Sequence, residues 1–459
     1  MCDADEVEYE FVVDGLAFSR CRACTLLFAN PHPGASNSAP LPDADAVYAA
    51  LRAFAARYLG REPHTILIVD NGVAPSDRTA TRCNPGELGS EHGRYDLVVA
   101  IDALGRSPDP LAAAVTLRRL VAPDGALMVT TPSLASRDAR AERDRWGPLH
   151  TKPGWLYTAD TLQLLLTRAG FGQFAPLVDA HDSGGVPAPE TRRFFGSNLA
   201  MFARPSERGD VRLLSVIVPV FNEVKTLTEL LERVIAKTIA DAEIEVVIVE
   251  SNSTDGSREI VERYAQHPRV RAVYEKRPSG KGHAVRAGLA HARGDVVMFQ
   301  DADLEYDVND YDKLVEPLFA LRRNFMLGSR HGAAGDGWKI RRFAERPGVS
   351  TLMNLAHMCL LGMFNRLYGQ SLFDPFTMYK VFRRDCLFGL GFECNRFDFD
   401  FEINIKLLRK GYQPMELPVN YRSRGFGEGK KVDFFRDPPS WVRAMLRLRR
   451  SRLYEFNAS

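Results

Sequence analysis

The second half of this sequence alternates short Val- and Ile-rich runs with amphipathic stretches, a spacing that a covered, mostly parallel sheet accommodates. Strand-like runs fall at 213–220, 244–249, 270–274 and 296–300, and helical periods fill 226–236, 257–265 and 284–292 between them. Unbroken β-branched runs suit strands buried on both faces, and a helix between each pair returns the chain to the same edge of the sheet. The first half repeats the theme less cleanly, with strands expected at 65–69, 96–101, 126–130 and 199–203 and helices at 110–121 and 159–169. The polar stretch 204–210 divides the two. The expected class is α/β, with one doubly wound domain in each half. An apolar share of 45% against 26% charged residues supplies enough core for this and excludes a disordered chain.

Sixty Lys and Arg against 58 Asp and Glu leave a net charge of +2, so no global field recruits nucleic acid and none is expected as a partner. Seven scattered cysteines in a chain of 459 residues suit a reducing cytoplasm. The acidic N-terminus lacks the features of a secretion signal. The most apolar window, 349–364, falls short of the roughly 20 residues of a membrane span and contains Asn354 and His357, so a buried or interfacial helix is expected.

Chemistry concentrates where strands end. Asp301-Ala302-Asp303 follows the run VVMFQ, which delivers two carboxylates to the crevice at the carboxyl end of a sheet. Hard oxygens there suit Mg or Mn, ions commonly held by one or two carboxylates together with substrate phosphates. A solvated surface pair is the plainer alternative. Upstream, Gly280, Lys281, Gly282 and Arg286 stand at the expected N-terminus of a helix, where free N–H groups favour an anion. SVIVPVFNE over 215–223 and VESNSTDG over 249–256 end two further strands in polar residues.

In this order, with GKGHAVRAG, QDADLEYD, Gly328-Ser329-Arg330, DPFTMYK from Asp374 and FDFDFE ending at Glu402, the segment 213–436 resembles the family 2 glycosyltransferases of GT-A fold. Among them it is most similar to dolichyl- or polyprenyl-phosphate sugar synthases. The resemblance implies a Rossmann-like domain with a metal-dependent, inverting activity. It would move a sugar from a UDP- or GDP-linked nucleoside diphosphate sugar to a phosphate or hydroxyl acceptor. It implies that Pro219, Asn222 and Glu223 line the nucleoside pocket, that Asp255 shapes its floor, that Lys281 and Arg286 approach the donor, and that Asp301 and Asp303 hold the metal. Glu250-Ser251 stands where many relatives carry two aspartates, which leaves Glu250 on the donor side and the base open. For a hydroxyl acceptor Asp374, Glu402 or Asp400 would serve as general base, whereas a lipid phosphate is already anionic.

Arg330 and the glycine-rich basic segment 421–431, with Arg422, Arg424 and Lys430, are expected to meet the diphosphate or a phosphorylated acceptor. The basic helix expected at 441–453 would either rest on an anionic membrane surface, giving peripheral contact at the inner membrane face, or pack on its own domain. A lipid phosphate and a small soluble metabolite both remain open as acceptors.

YDLVVAID over 95–102, LRRLVAPDG over 117–125 and LMVTTP over 127–132 are similar to the C-terminal part of class I S-adenosylmethionine methyltransferases. Two features of that family are missing. The first strand ends in IVDNGVAP without the glycine pattern, and only 25 residues separate Asp70 from Asp96, so the ribose-binding strand is expected to be deleted. A degenerate domain follows, and a working methyltransferase with an accessory sugar-binding domain is the alternative. Cys21 and Cys24 have the spacing of half a zinc ribbon, but no second pair follows, so a packed hairpin over 18–30 is expected. The organisation read from sequence is thus 1–60 with the hairpin, 61–206 methyltransferase-like, 211–436 glycosyltransferase and 437–459 basic helix.

Overall fold

The computed structural model describes residues 6–33, 44–70, 75–184, 187–207, 212–331, 340, 347–423 and 437–456. Within these, the C-terminal half is a seven-stranded sheet. Leu213–Val220 is an interior strand, paired in parallel with Glu243–Glu250 on one side and Val296–Phe299 on the other. Val270–Tyr274 continues the first direction. The chain therefore leaves Leu213–Val220 both ways, and a crevice opens between the carboxyl ends of Leu213–Val220 and Val296–Phe299, the switch point where doubly wound sheets bind ligands. Past it, Lys380–Arg383 runs antiparallel between Val296–Phe299 and Phe325–Ser329, and Met415–Pro418 forms the edge.

The N-terminal half is a six-stranded sheet in the order Thr81–Cys83, Ile66–Val69, Tyr95–Ile101, Val121–Pro132, Asn198–Pro205, Phe171–Leu177. Its first four strands are parallel. One expectation is corrected here. The strand thought deleted between Asp70 and Asp96 is present as the three residues Thr81–Cys83, though it ends in Cys83 and Asn84 and not in an acid. A second concerns the helix Ala44–Leu59, which packs Val47, Leu51, Phe54 and Tyr58 onto this sheet and so groups with it and not with the N-terminal hairpin.

The hairpin expected over 18–30 forms from Leu16–Cys21 and Leu27–Ala29, flanked by Val7–Val13 and Trp155–Leu156 in an antiparallel four-stranded sheet. Cys21 and Cys24 are buried beside Leu26. Among the described residues they belong to no group of three ligands close enough for a metal.

The two halves share a buried polar seam. Gln163 Nε2 donates to Asn324 Oδ1 at 3.3 Å, and the Tyr412 hydroxyl donates to Gln163 Oε1. Asp160 accepts from Asn324 Nδ2 at 3.2 Å and from the Gln413 amide at 2.7 Å. Lys410, fully buried, donates to the carbonyls of Phe174, Cys386 and Phe388 at 3.0, 2.7 and 3.0 Å. The last residues tie the halves further, since Leu453 and Tyr454 pack in one cluster with Phe54 and Tyr58.

The apolar window lies on the helix Pro347–Tyr368, which buries Met353, Asn354, His357, Leu361 and Phe364 and exposes Leu352 and Leu355. No helix among the described residues is long and apolar enough to cross a membrane. The basic helix Asp437–Leu448 buries Ala444, Met445 and Leu448 in the core of the C-terminal half, so it packs on its own domain.

Candidate active site

Backbone geometry at the end of Leu213–Val220 sets one wall of the crevice. Asn222 adopts a left-handed conformation, with φ of 52°, which turns the chain across the strand ends. Its amide donates to Ser253 Oγ at 3.0 Å, and its Oδ1 accepts from the Thr254 amide at 2.9 Å. Asp255 accepts from the Val224 amide and from both donors of Ser257. These contacts stitch the 221–224 turn to the 251–257 turn. Glu250 is fully buried, accepts from the Ser253 amide at 2.6 Å and meets Arg258 at 3.4 Å. Glu275 is a carboxylate that sequence reasoning missed. It follows the strand Val270–Tyr274, accepts from Ser251 Oγ at 2.6 Å and pairs with His283.

The opposite wall carries the charged groups. Gln300 accepts hydroxyl donors from Tyr311 and Tyr379, both at 2.8 Å, which fixes the strand end just before Asp301. Lys281 opens the helix Lys281–His291 and meets Asp301 Oδ1 at 2.6 Å, both side chains about one fifth exposed. Burial pulls the Lys281 ammonium down, but Asp301, Asp400 and Asp303 outweigh it and hold the group above its ordinary range. Asp303 is nearly buried, and its Oδ1 accepts from the Glu305 amide at 3.0 Å. Asp301 and Asp303 offer hard carboxylate oxygens at this strand end, where Lys281 meets Asp301. That set fits a divalent ion sharing its remaining positions with phosphate and water.

Close backbone approach brings a third carboxylate here. A Cβ on Gly282 would lie 2.5 Å from Phe399 Cβ and 2.9 Å from two carbonyl oxygens, so only glycine lets the start of the helix Phe399–Arg409 pack on the helix bearing Lys281. Asp400, in that first turn, is partly exposed and lies 3.5 Å from Lys380 Nζ. Burial lowers the Lys380 ammonium against the pull of Asp400.

Several expected site residues lie elsewhere. Arg286 turns away from this crevice: its guanidinium donates to the Phe392 carbonyl at 2.5 Å and to Asn395, and it lines a separate cavity. Glu402 is fully buried, accepts from the amides of Glu393 and Cys394 and pairs with Lys406 at 3.0 Å, so it anchors a loop and has no path to an acceptor. Asp374 is likewise fully buried, and Arg330 engages both of its oxygens, at 2.8 Å each, with a further backbone donor at 2.9 Å. Burial opposes its charge, but Arg330 and then His357 hold the carboxyl well below the usual range. A carboxylate so bound makes a poor base, and Arg330 in turn is committed to it. The expectation of a base at Asp374 or Glu402 is therefore corrected, and Asp400 is the candidate that faces the crevice.

His331 and His357, also missed from sequence, place ring nitrogens within 4.8 Å of an Asp374 oxygen, but Arg330 already neutralises that carboxylate. Arg422 is exposed and its amide donates to the Glu305 carbonyl at 2.8 Å. Arg424 and Lys430 lie outside the described residues.

At the matching edge of the N-terminal sheet, Asp102 follows the strand Tyr95–Ile101 in a left-handed conformation and pairs with Arg106 at 2.9 Å, both buried. Arg106 also donates to the carbonyl and hydroxyl of Thr151, at 2.6 and 2.7 Å. This ion pair fills the strand end.

Comparison with known proteins agrees with this division. Residues 215–388 match the model of the family described as Glycosyl transferase family 2, and residues 45–172 match that of a methyltransferase domain. The undecaprenyl-phosphate 4-deoxy-4-formamido-L-arabinose transferase of Edwardsiella ictaluri is 32% identical over 225 residues, covering 48% of this chain and 63% of that protein. Glycosyltransferase AglD of Haloferax volcanii is 29% identical, over 51% of this chain and 37% of that protein. The dolichyl-phosphate beta-glucosyltransferase ALG5C of Trichomonas vaginalis is 26% identical, over 46% and 64%. The chain thus spans less than two thirds of the length of these relatives. A solved glucosyl-3-phosphoglycerate synthase from Mycobacterium tuberculosis aligns at 20% identity with a TM-score of 0.39, covering 52% of this chain and 80% of that one. The segment 215–388 is thus similar to glycosyl transferase family 2, and the segment 45–172 before it to a methyltransferase domain.

Proposed function

We propose that the protein is a metal-dependent, inverting glycosyltransferase that moves a sugar from a UDP- or GDP-linked donor to a phosphate acceptor of the polyprenyl type. The observation that carries this reading is the Lys281–Asp301 pair beside Asp303 and Asp400, at the switch point of a family 2 sheet. The relatives described as undecaprenyl- and dolichyl-phosphate sugar transferases support the acceptor class.

Asp301 and Asp303 would hold Mg or Mn, which when bound supplies charge neutralisation for the donor diphosphate. Lys281 adds positive charge at the same place, from the N-terminus of its helix, where free N–H groups also favour phosphate oxygens. An acceptor oxygen attacks the anomeric carbon in line. As the new C–O bond forms, the bond from that carbon to the diphosphate oxygen breaks, and its electron pair leaves with the nucleoside diphosphate. Asp400 is the carboxylate positioned to take a proton from a hydroxyl acceptor. A phosphate acceptor arrives anionic and needs no such step, which leaves Asp400 to orient Lys281 and Lys380. Glu275, bonded to Ser251 and paired with His283, supplies a carboxylate where Ser251 stands at the second of the two aspartate positions of many relatives, and we assign it to the nucleoside side of the pocket.

The test is transfer from labelled UDP- and GDP-sugars to undecaprenyl or dolichyl phosphate, with Mg or Mn, in the wild type and in Asp400→Asn. Metal-dependent product with one donor, and turnover of the phosphate acceptor kept within a few fold in the variant, supports the reading. Turnover of a hydroxyl acceptor alone, abolished by Asp400→Asn, replaces the phosphate acceptor with an alcohol.

A further inference from the structure

The methyltransferase-like sheet has a second opening on its carboxyl edge, away from the end that Arg106 fills. The parallel strand Val121–Pro132 ends there, as does Phe171–Leu177, which runs in the same direction, and Asn198 begins the antiparallel strand between them. Ser133, Ser136 and Asp179 follow these ends and line a groove of about 1570 Å³. Its other wall belongs to the C-terminal half: Tyr368 at the end of the helix Pro347–Tyr368, Gln370 just after it, Arg409 at the end of Phe399–Arg409, and the tail 449–454. No residue of the Asp301–Asp303 crevice lines it.

The charge of this groove is one-sided. Eight arginines line it against two carboxylates, Asp179 and Asp182. Arg409 already holds Asp182, at 2.6 Å, and Arg57 donates to the Ser183 carbonyl. Arg140, Arg192, Arg449, Arg450 and Arg452 make no side-chain hydrogen bond or ion pair among the described residues. Burial lowers the Arg57 guanidinium, and the charge of Arg452 adds to that shift. Folding thus gathers cations from both halves without giving most of them an anionic partner. Guanidinium forks match phosphate oxygens two at a time, and crevices at the carboxyl ends of α/β strands are where such sheets bind ligands. A groove walled by both halves and the tail suits a small molecule better than a flat membrane face.

We propose that this groove is a second anion site, separate from the donor crevice, that takes a small molecule carrying two or more phosphoryl groups. Arg140 and Arg192 reach it from the methyltransferase-like wall, and Arg449 and Arg450 from the tail.

The experiment is calorimetric titration of the full chain with inorganic pyrophosphate at constant ionic strength, without added metal, alongside orthophosphate and sulfate. The wild type is compared with Arg140→Gln/Arg449→Gln and with Asp301→Asn/Asp303→Asn. The expected result is one saturable site, at least tenfold tighter for pyrophosphate than for orthophosphate or sulfate, weakened at least tenfold in the arginine variant and unchanged in the aspartate variant. Circular dichroism identifies a misfolded variant, in which case the single changes Arg140→Gln and Arg449→Gln, each weakening binding at least threefold, decide the matter. Pyrophosphate binding that survives the arginine changes, or whose affinity changes in the aspartate variant, assigns the anion to the donor crevice and overturns the proposal. Equal affinity for sulfate reduces the groove to a diffuse basic surface and overturns it as well.

Discussion

Both halves of this protein end a buried parallel strand in an aspartate, and the two aspartates have opposite fates. Asp301 pairs with Lys281 while both side chains keep about one fifth of their surface exposed. Asp102 pairs with Arg106, at 12% and 5% exposure, and two further guanidinium donors go to Thr151. A charge at the mouth of a crevice can exchange its protein partner for a ligand at little desolvation cost. One sealed with its counter-ion cannot, because separating the pair strands a charge away from water. A strand-end carboxylate therefore marks a site only when its counter-charge is exchangeable.

The largest effect expected from this contrast is on stability, at the sealed pairs. Asp374→Ala would leave Arg330, at 9% exposure, without its partner, and the expected loss is about 3–5 kcal/mol in urea unfolding. Asp102→Ala should fall in the same range, whereas Asp301→Ala, at the more open pair, should cost less, about 1 kcal/mol. Equal losses at the three positions would break the comparison. On turnover, Asp303→Asn is expected to lower kcat by about 10²–10³-fold with circular dichroism unchanged.

A smaller effect concerns the seam between the halves. Burial lowers the Lys410 ammonium to about 7, well below its ordinary range. The unfolded chain keeps that proton up to its ordinary value of 10.5, so from pH 7 upward the unfolded state binds more protons and native stability rises with pH. The expected slope is at most about 1.4 kcal/mol per pH unit, and Lys410→Met should remove it when urea midpoints at pH 7 and pH 9 are compared. An identical rise in the variant would assign it to other groups. The smallest expected signal is at the N-terminal edge itself, where calorimetry with S-adenosylmethionine should show no saturable heat. Micromolar binding would mean that the Asp102–Arg106 seal opens.

The strands 213–220 and 270–274 were legible to the residue, because β-branched runs flanked by polar turns leave little choice of conformation. The position of Asp301 followed from the strand before it. The same rule applied to the acid after Val270–Tyr274 would have found Glu275. His331 and His357 carried no such signal, since they meet Asp374 from positions 43 and 17 residues away. Glu402 and Asp374 were read as candidate bases because they sit in motifs that carry the family resemblance, yet whether a carboxylate is reactive depends on what it touches. Here those partners are amides of a loop and an arginine 44 residues distant.

The sequence by itself determined the α/β class, the order of strands and helices in the C-terminal half, and the delivery of two aspartates to the end of one strand. Local propensity and hydrophobic period act over a few residues, so these are written in short segments. Tertiary structure alone decided which carboxylates remain open, that Arg286 faces away from the donor crevice, and that the two halves join through Gln163, Asn324 and Lys410. Those outcomes rest on burial and on partners up to 249 positions apart, a distance over which local pattern carries no information.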